Sequence, residues 1–489
     1  MTYANIFFPY HECYRNDKNH ESDYKKMFYP KKNYIEPFFK SPCPPALLSR
    51  EWFDTFIRVH RHTTQFDKLI LYHNTDHDQE VIFQHMDYSK QSIELHLRSR
   101  GKIEIRSKVS ITTKEDLSLA YTPGVAAVCT EIGLNKEKSY TLTNRANQVA
   151  VVSDGTAILG LGDLGPEAAM PVMEGKAIIF KEFADIDAIP LCINSTDVEE
   201  IIKFCKMIEP SFAGINLEDI SAPRCFEIFE RLEEELSIPV FHDDQDGTAI
   251  VTLAAIINAC RVTGRNIEDL SVIINGAGAA GIAIARLLMH AKVKDVVLVD
   301  TQGAIYEGRP GMNSIKQGIA AITNKAMHSG DLQSSMVGTD VFVGVSVGNI
   351  VTPAMVEGMN PSPFIFAMAN PEPEIMPDLA YKAGASVVGT GRSDLPNQVN
   401  NALVFPGLFK GLFVSGIKKV TPEIKMAVAT SIAYSIEPTR DHLMPTAFNK
   451  NVVRNIVDVI SNPDEKRNYA NNEPEELEEL EVLVNSLLN

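Results

Sequence analysis

The feature that most restricts this chain is an alternation of short apolar runs with amphipathic helical stretches. AIPLCIN (188–194) has the character of a strand, and DVEEIIKFCKMI that of a helix capped near Thr196 or Asp197. SFAGIN (211–216) and SIPVF (237–241) are the next strands, each followed by a helical stretch, Ser221–Leu236 and Thr248–Thr263. The unit recurs through LSVIIN (270–275), VKDVVLVD (293–300), DVFVGVS (340–346), SPFIFAMA (362–369) and ASVVGT (385–390). Parallel strands need a crossover between them, and a helix of this length supplies it. The spacing therefore predicts an α/β protein built on parallel sheets.

LSVIIN is followed by Gly276-Ala277-Gly278-Ala279-Ala280-Gly281, which opens the helical run IAIARLLMHA. This is a GxGxxG between a strand and a helix. Its first glycine makes the turn, its second admits a pyrophosphate and its third lets helix and strand pack closely. The helix N-terminus offers free N–H groups to the phosphates. VVLVD ends on Asp300, where an acid can hold a ribose hydroxyl. A Rossmann-type domain for NAD or NADP is predicted.

FHDDQDGT (241–248) puts Asp243, Asp244 and Asp246 between two apolar runs. In a parallel sheet, ligands gather at the carboxyl ends of the strands. Asp243 and Asp244 follow SIPVF there, and Glu218 and Asp219 follow SFAGIN in NLEDI. One crossover helix joins the two strands, which makes them neighbours about 4.8 Å apart. Four converging carboxylates repel one another unless a hard cation sits among them. Oxygen-only ligands favour Mg²⁺ or Mn²⁺ over Zn²⁺. Asp246 or Thr248 is expected to cap the following helix instead.

A metal beside a dinucleotide suggests hydride transfer from a chelated substrate. DLSLAYTPGVAAVC places Tyr121 before a Pro-Gly turn, and Lys176 sits among apolar residues in PVMEGKAIIFK. Desolvation beside Gly175 and Ala177 would lower the lysine pKa toward that of a useful base. Taken singly, Tyr121 is equally a packing residue at a turn and Lys176 a snorkelling surface lysine.

At 489 residues the chain exceeds one compact core. A net charge of −17 argues against nucleic acid or an anionic membrane as partner. The start has no basic region ahead of an apolar core, and no apolar run reaches spanning length. The seven cysteines are scattered, as in a reducing compartment, and a cytoplasmic location is expected. Residues 1–88 differ in composition and hold Trp52, the only tryptophan. They also contain His73 and His77, four apart, in a stretch read as a turn with no third metal ligand. The tail carries Leu477, Leu480, Val484 and Leu487 at helical spacing, an apolar stripe suited to docking.

Taken together, SLAYTPGVA, DGTAILGLGDLGPEAAMPVMEGKA, INLEDI, FHDDQDGTA, INGAGAAG, FAMANPEPE and NQVNNALVFPG closely resemble the malic enzymes, in the shorter bacterial and archaeal form. The resemblance runs from about residue 90 to residue 430, with every motif in order. It implies divalent-metal-dependent oxidative decarboxylation of L-malate to pyruvate and CO₂ with NAD(P)⁺, extending to decarboxylation of oxaloacetate. The family's metal ligands fall on Glu218, Asp219 and Asp244, with Asp243 beside them. Its lysine falls on Lys176, its tyrosine on Tyr121, and its substrate-contacting asparagines on Asn370 and Asn401, with Asn400 adjacent. The resemblance also implies a homodimer or homotetramer with Tyr121 close to a subunit boundary. It divides the chain into an N-terminal extension (1–88), an α/β substrate and metal domain (89–247), and a Rossmann-type NAD(P) domain with C-terminal helices (248–489). Longer malic enzymes carry an arginine where this chain has Ala157. Asp300 disfavours a 2′-phosphate, yet NADP-using members retain it, which leaves the choice of nucleotide open.

Overall fold

The computed structural model describes residues 68–72, 80–84 and 88–462. The chain divides into two units, Met1–Ser92 and Ile93–Asn489. In the first, strands β1 (Lys68–Tyr72) and β2 (Glu80–Gln84) form an antiparallel hairpin. Helix α1 (Tyr88–Ser99) runs across the division. His73, His77 and the expected helix at 477–488 lie outside the described residues.

Three short helices open the second unit: α2 (Lys114–Ala120), α3 (Val125–Leu134) and α4 (Ser139–Leu142). Thr113 and Asp116 form a reciprocal capping box at the start of α2. None of the residues in these helices is buried, although α3 is largely apolar. Among the described residues, Lys114–Leu134 is the one stretch long and apolar enough to cross a membrane by length and composition.

The first sheet is built from β3 (Gln148–Ser153), α5 (Pro166–Ala184), β4 (Asp187–Cys192), α6 (Val198–Ile208), β5 (Gly214–Leu217), α7 (Arg224–Glu235), β6 (Val240–His242) and α8 (Thr248–Thr263). Its strands are parallel in the order β4-β3-β5-β6. The expected adjacency of β5 and β6 is present, with Ile215 opposite Val240. Sequence patterning missed β3, whose Val149–Val152 run lies wholly buried in the middle of the sheet. Asp197 caps α6 by accepting from the Glu200 N–H. Helix α8 stops at Gly264, which takes the left-handed conformation at φ 70° that ends helices without a Cβ penalty.

The second sheet collects β7 (Ser271–Asn275), α9 (Ala279–His290), β8 (Asp295–Asp300), β9 (Gly303–Ala304), α10 (Ser314–Ala320), α11 (Leu332–Met336), β10 (Val341–Gly344), α12 (Pro353–Glu357), β11 (Phe364–Ala367), α13 (Pro377–Lys382) and β12 (Val387–Thr390). The order is β12-β11-β10-β7-β8-β9, parallel except for the short β9. With β7 central, chain direction through the sheet reverses between β8 and β10, which opens the crevice where α/β sheets bind ligands.

Helices α14 (Phe405–Ser415), α15 (Pro422–Ala433) and α16 (Lys450–Ser461) follow. Packing runs across residue 248, because α14 returns to the first sheet. Phe180 of α5 meets the rings of Phe405 and Phe409 at 4.7 and 5.4 Å. Gly214 of β5 is needed beneath Phe409, since a Cβ there would sit 2.7 Å from the ring. Each such buried phenylalanine contributes roughly 1.5–3 kcal/mol. The layer they form is the floor of the site described next.

Candidate active site

Strands β5 and β6 end side by side, and the residues just beyond them form the cluster. After β6 the chain makes one π-turn, Asp243–Gly247, before α8 begins. The wide turn folds the Asp243 carboxylate back over Gly247, where a Cβ would lie 2.1 Å from Asp243 Oδ1. Only glycine fits there. After β5, Asp219 adopts φ 55°, an uncommon conformation for a residue with a Cβ. Its N–H donates to Asp244 Oδ2 at 2.8 Å, so the two strand ends are stitched together.

Ligand oxygens of Glu218, Asp219 and Asp244 lie within 4.8 Å of one another. Glu218 and Asp219 are buried, Asp244 partly so, and Asp219 Oδ2 is a buried oxygen without a hydrogen-bond partner. Burial raises all three carboxyls above their ordinary range, and their neighbours' charges add to it. Asp219 is pushed up to about 7, with Asp244 the main repelling neighbour. Asp244 is pushed up to about 6, with Asp243 its main repelling neighbour. Glu218 rises well above the usual carboxylate value by burial and by repulsion from Asp244, Asp243 and Asp219, against the pull of Lys176. An all-oxygen, electron-rich pocket with an orphaned lone pair suits a hard divalent cation.

Lys176, on α5, reaches into this cluster. Its Nζ lies 3.0 Å from Glu218 Oε1 and is ion-paired with Asp243, while Phe405 closes over it at 4.5 Å. Here the structure corrects the sequence-based expectation. Burial does favour the neutral amine, but the charges of Asp243 and Glu218 outweigh it, and the lysine pKa is raised, not lowered. The apolar neighbours were visible in the sequence; the acids arrive from the ends of other strands.

Asn401 is brought in as expected. Its Nδ2 donates to Asp243 Oδ2 and to Thr248 Oγ1, both at 3.0 Å. Asn400 accepts from the Ala402 N–H and caps the short turn that follows. Asn370 stands exposed beyond the end of β11, with its carbonyl facing Gly160. Tyr121 is 66% exposed at the end of α2, and no hydrogen bond or ring contact joins it to Lys176 among the described residues. The capping roles expected of Asp246 and Thr248 are not found. Asp246 is buried in the π-turn and paired with Lys425 at 2.7 Å, and Thr248 is already the first residue of α8.

Arg224, which patterning did not single out, holds the loop after β3. It pairs with Asp154 and with Thr156 Oγ1 and donates to Ser221 Oγ at 3.2 Å. The loop is thereby pinned so that the Ala157 N–H donates to Asp219 O at 3.0 Å. Nothing local in the sequence marks Arg224 for this task, since Asp154 is seventy positions away.

The glycine loop behaves as its motif requires. Gly276 takes φ 117°, and a Cβ on Gly281 would fall 1.8 Å from Gly276 O, so helix and strand touch through bare backbone. A Cβ on Gly278 would meet nothing within 4 Å. That open face at the start of α9 is where a pyrophosphate would approach, flanked by Ala277, Ala279 and Ala280.

The matches to known proteins fall on these same two regions. Residues 100–197 and 194–233 match the malic enzyme N-terminal domain, and residues 245–457 match the malic enzyme NAD-binding domain. The chain belongs to the malic enzyme family. It is 52% identical over 366 residues to a bifunctional malic/malolactic enzyme of Bacillus subtilis, covering 74% of this chain and 89% of that protein. It is 51% identical over 359 residues to an NAD-dependent malic enzyme of Geobacillus stearothermophilus, covering 73% and 75%. The crystal structure of the NAD-dependent malic enzyme from Thermotoga maritima superposes with a TM-score of 0.74 at 49% identity, covering 77% of this chain and 99% of that one. The chain is thus an oxidoreductase of the NAD(P)-linked malic enzyme class, which oxidatively decarboxylates malate.

Proposed function

We propose that Glu218, Asp219 and Asp244 hold Mg²⁺ or Mn²⁺ and that Lys176 and Tyr121 handle the protons of L-malate decarboxylation. The observation that carries this reading is a lone lysine set against mutually repelling carboxylates at one sheet rim. A divalent ion in the pocket would supply Lewis acidity for the C2 oxygen and for the enolate. Lys176 exchanges the C2 hydroxyl proton. Asp243 and Asn401 fix its position, and Phe405 keeps water from its ammonium. Asn401 and Asn370 orient the substrate. The dinucleotide lies along Gly276–Gly281, and Gly278 leaves room for its phosphates.

Tyr121 would give the C3 proton, and we infer that a second copy of the chain completes its surroundings as a homodimer or homotetramer. In favour of this, apolar side chains of α2 and α3 stand exposed among the described residues, Leu119 at 71% and Leu134 at 80%.

The test is NAD(P)H formation from L-malate with Mn²⁺, each nucleotide supplied separately, with CO₂ release followed in parallel. Reduced nucleotide without CO₂ would indicate a non-decarboxylating hydroxy-acid dehydrogenase instead. Sedimentation at assay concentration tests the assembly, and an active monomer defeats it.

A further inference from the structure

Two of the three proposed metal ligands are preceded, two residues earlier, by a buried polar side chain. Asn216 on β5 stands before Glu218, and His242 on β6 before Asp244. Residues two apart on an extended chain point to the same side, which turns Asn216 toward Glu218. The Asn216 side chain is fully buried, and its Nδ2 donates to Glu218 Oε2 at 3.0 Å while its Oδ1 has no partner. The amide thus holds one oxygen of the carboxylate, and Lys176 takes the other.

His242 makes no such bond. It is fully buried, and neither Nδ1 nor Nε2 has a hydrogen-bond partner. Burial pushes its pKa down to about 3, so the ring is neutral, with one N–H and one bare nitrogen. The ring meets Phe229 edge to face at 6.0 Å. A phenylalanine would keep that contact and bury no unpaired nitrogen, so packing alone does not account for an imidazole. What the imidazole adds is a donor. Nδ1 lies 3.8 Å from Asp244 Oδ2, and closing that gap by about 0.8 Å makes a hydrogen bond. Asp244 Oδ2 accepts from the Asp219 N–H and, with two lone pairs, has room for a second donor. Two donors on Oδ2 would leave Oδ1 free to face a cation.

We propose that His242 is a positioning residue for the cation site: its Nδ1–H donates to Asp244 Oδ2 when Mg²⁺ or Mn²⁺ is bound, doing for Asp244 what Asn216 does for Glu218. The inference rests on the reading of Glu218, Asp219 and Asp244 as the ligands of that cation.

Mn²⁺ binding to the full chain, followed through the paramagnetic resonance of the free ion, tests this without turnover. Thermal melting of each metal-free variant is measured alongside. His242→Phe keeps the ring packing and removes the donor. It should melt no lower than the wild type, yet bind Mn²⁺ about tenfold or more weakly. His242→Asn sets an amide N–H near the place of Nδ1 and loses the ring. It should melt lower, yet bind Mn²⁺ within about threefold of the wild type. A merely structural histidine would make affinity follow stability in both variants, and that pattern overturns the proposal. The wild type gives an independent reading through nitrogen-15-labelled histidine in the Mg²⁺-loaded chain. The His242 signal, identified by its absence in His242→Asn, should report the Nδ1–H tautomer, and the Nε2–H tautomer overturns the proposal. If the wild type binds Mn²⁺ and His242→Phe binds it equally well, only this inference falls. If the wild type binds no Mn²⁺, the cation site falls with it.

Discussion

Acids sit at the carboxyl ends of parallel strands at two places in this molecule, three together and one alone, and they are treated in opposite ways. Beyond β5 and β6, Glu218, Asp219 and Asp244 face one another with Lys176 as the nearby cation, and burial and mutual repulsion raise their pKa values. Beyond β8, Asp300 is clasped by Arg309 and Lys316. Burial alone would raise its pKa, but those hydrogen bonds hold it well below the usual carboxylate range. The first set is short of positive charge and fits a cation supplied from solution. The second is already balanced by the protein's own side chains, and what it presents outward is positive. Position at a strand end does not assign an acid its task; its counter-charges do.

The largest effect expected from disturbing this contrast comes from removing the cation at the first rim. Lys176→Ala should lower kcat for malate oxidation on the order of 10³-fold and leave NAD(P)H binding, measured by fluorescence, intact. Near wild-type turnover at every pH would sink the lysine's assigned role. Next comes one member of the repelling set. Asp244→Asn keeps the shape and removes an anion, so kcat should fall by roughly 10²-fold and the Mn²⁺ activation constant should rise. An unchanged Mn²⁺ requirement would place the metal elsewhere.

Glu374 offers a third regime between the two. It is wholly buried and accepts from the Ala369 and Ser346 N–H groups at 3.1 and 3.3 Å. Burial outweighs these bonds and pushes its pKa up to about 7. An acid that holds its proton more tightly when folded contributes stability below its unfolded value, near 4.5, and that stability is lost as pH rises through about 7. Between pH 5 and pH 8 the loss should be about 2 kcal/mol. Chemical denaturation at the two pH values would measure it, and Glu374→Gln should flatten the slope. Equal slopes for the wild type and Glu374→Gln would show that the backbone N–H groups balance the charge. The smallest effect belongs to Asp246. It is no helix cap; Asp246→Asn leaves Lys425 a neutral amide oxygen in place of a carboxylate and should cost about 1–2 kcal/mol. The Mn²⁺ requirement should hardly change, in contrast with Asp244→Asn.

The strands β4 to β8 and β10 to β12 were legible in the sequence because each is a short apolar run bounded by turn or helix signals. β3 escapes patterning because QVAVVS runs without a break into the glycine-rich loop DGTAILG. The carboxylate trio could be placed from order alone, since two strands joined by one crossover helix lie side by side. The lysine's charge state could not, because Asp243 lies 67 positions from Lys176 and only the fold brings them together. The counter-ions of Asp300 are just 9 and 16 positions away, yet no periodicity marks them, as they sit in a turn and at a helix start.

The return of the chain from the second sheet to the first has a mechanical consequence. The backbone passes between the two sheets twice, outward through α8 and back through the segment that leads into α14. Asp243 stands at the head of the first passage and Asn401 on the second, and the hydrogen bonds from Asn401 to Asp243 and Thr248 staple them together. Two fixed crossings define a hinge line, and this one runs beside the carboxylates. Glu218, Asp219 and Asp244 follow strands that end beside that line, so a swing of the second sheet about it would displace these carboxylates little. Such a rotation would alter the opening between the two sheets while keeping the three carboxylates in register with one another.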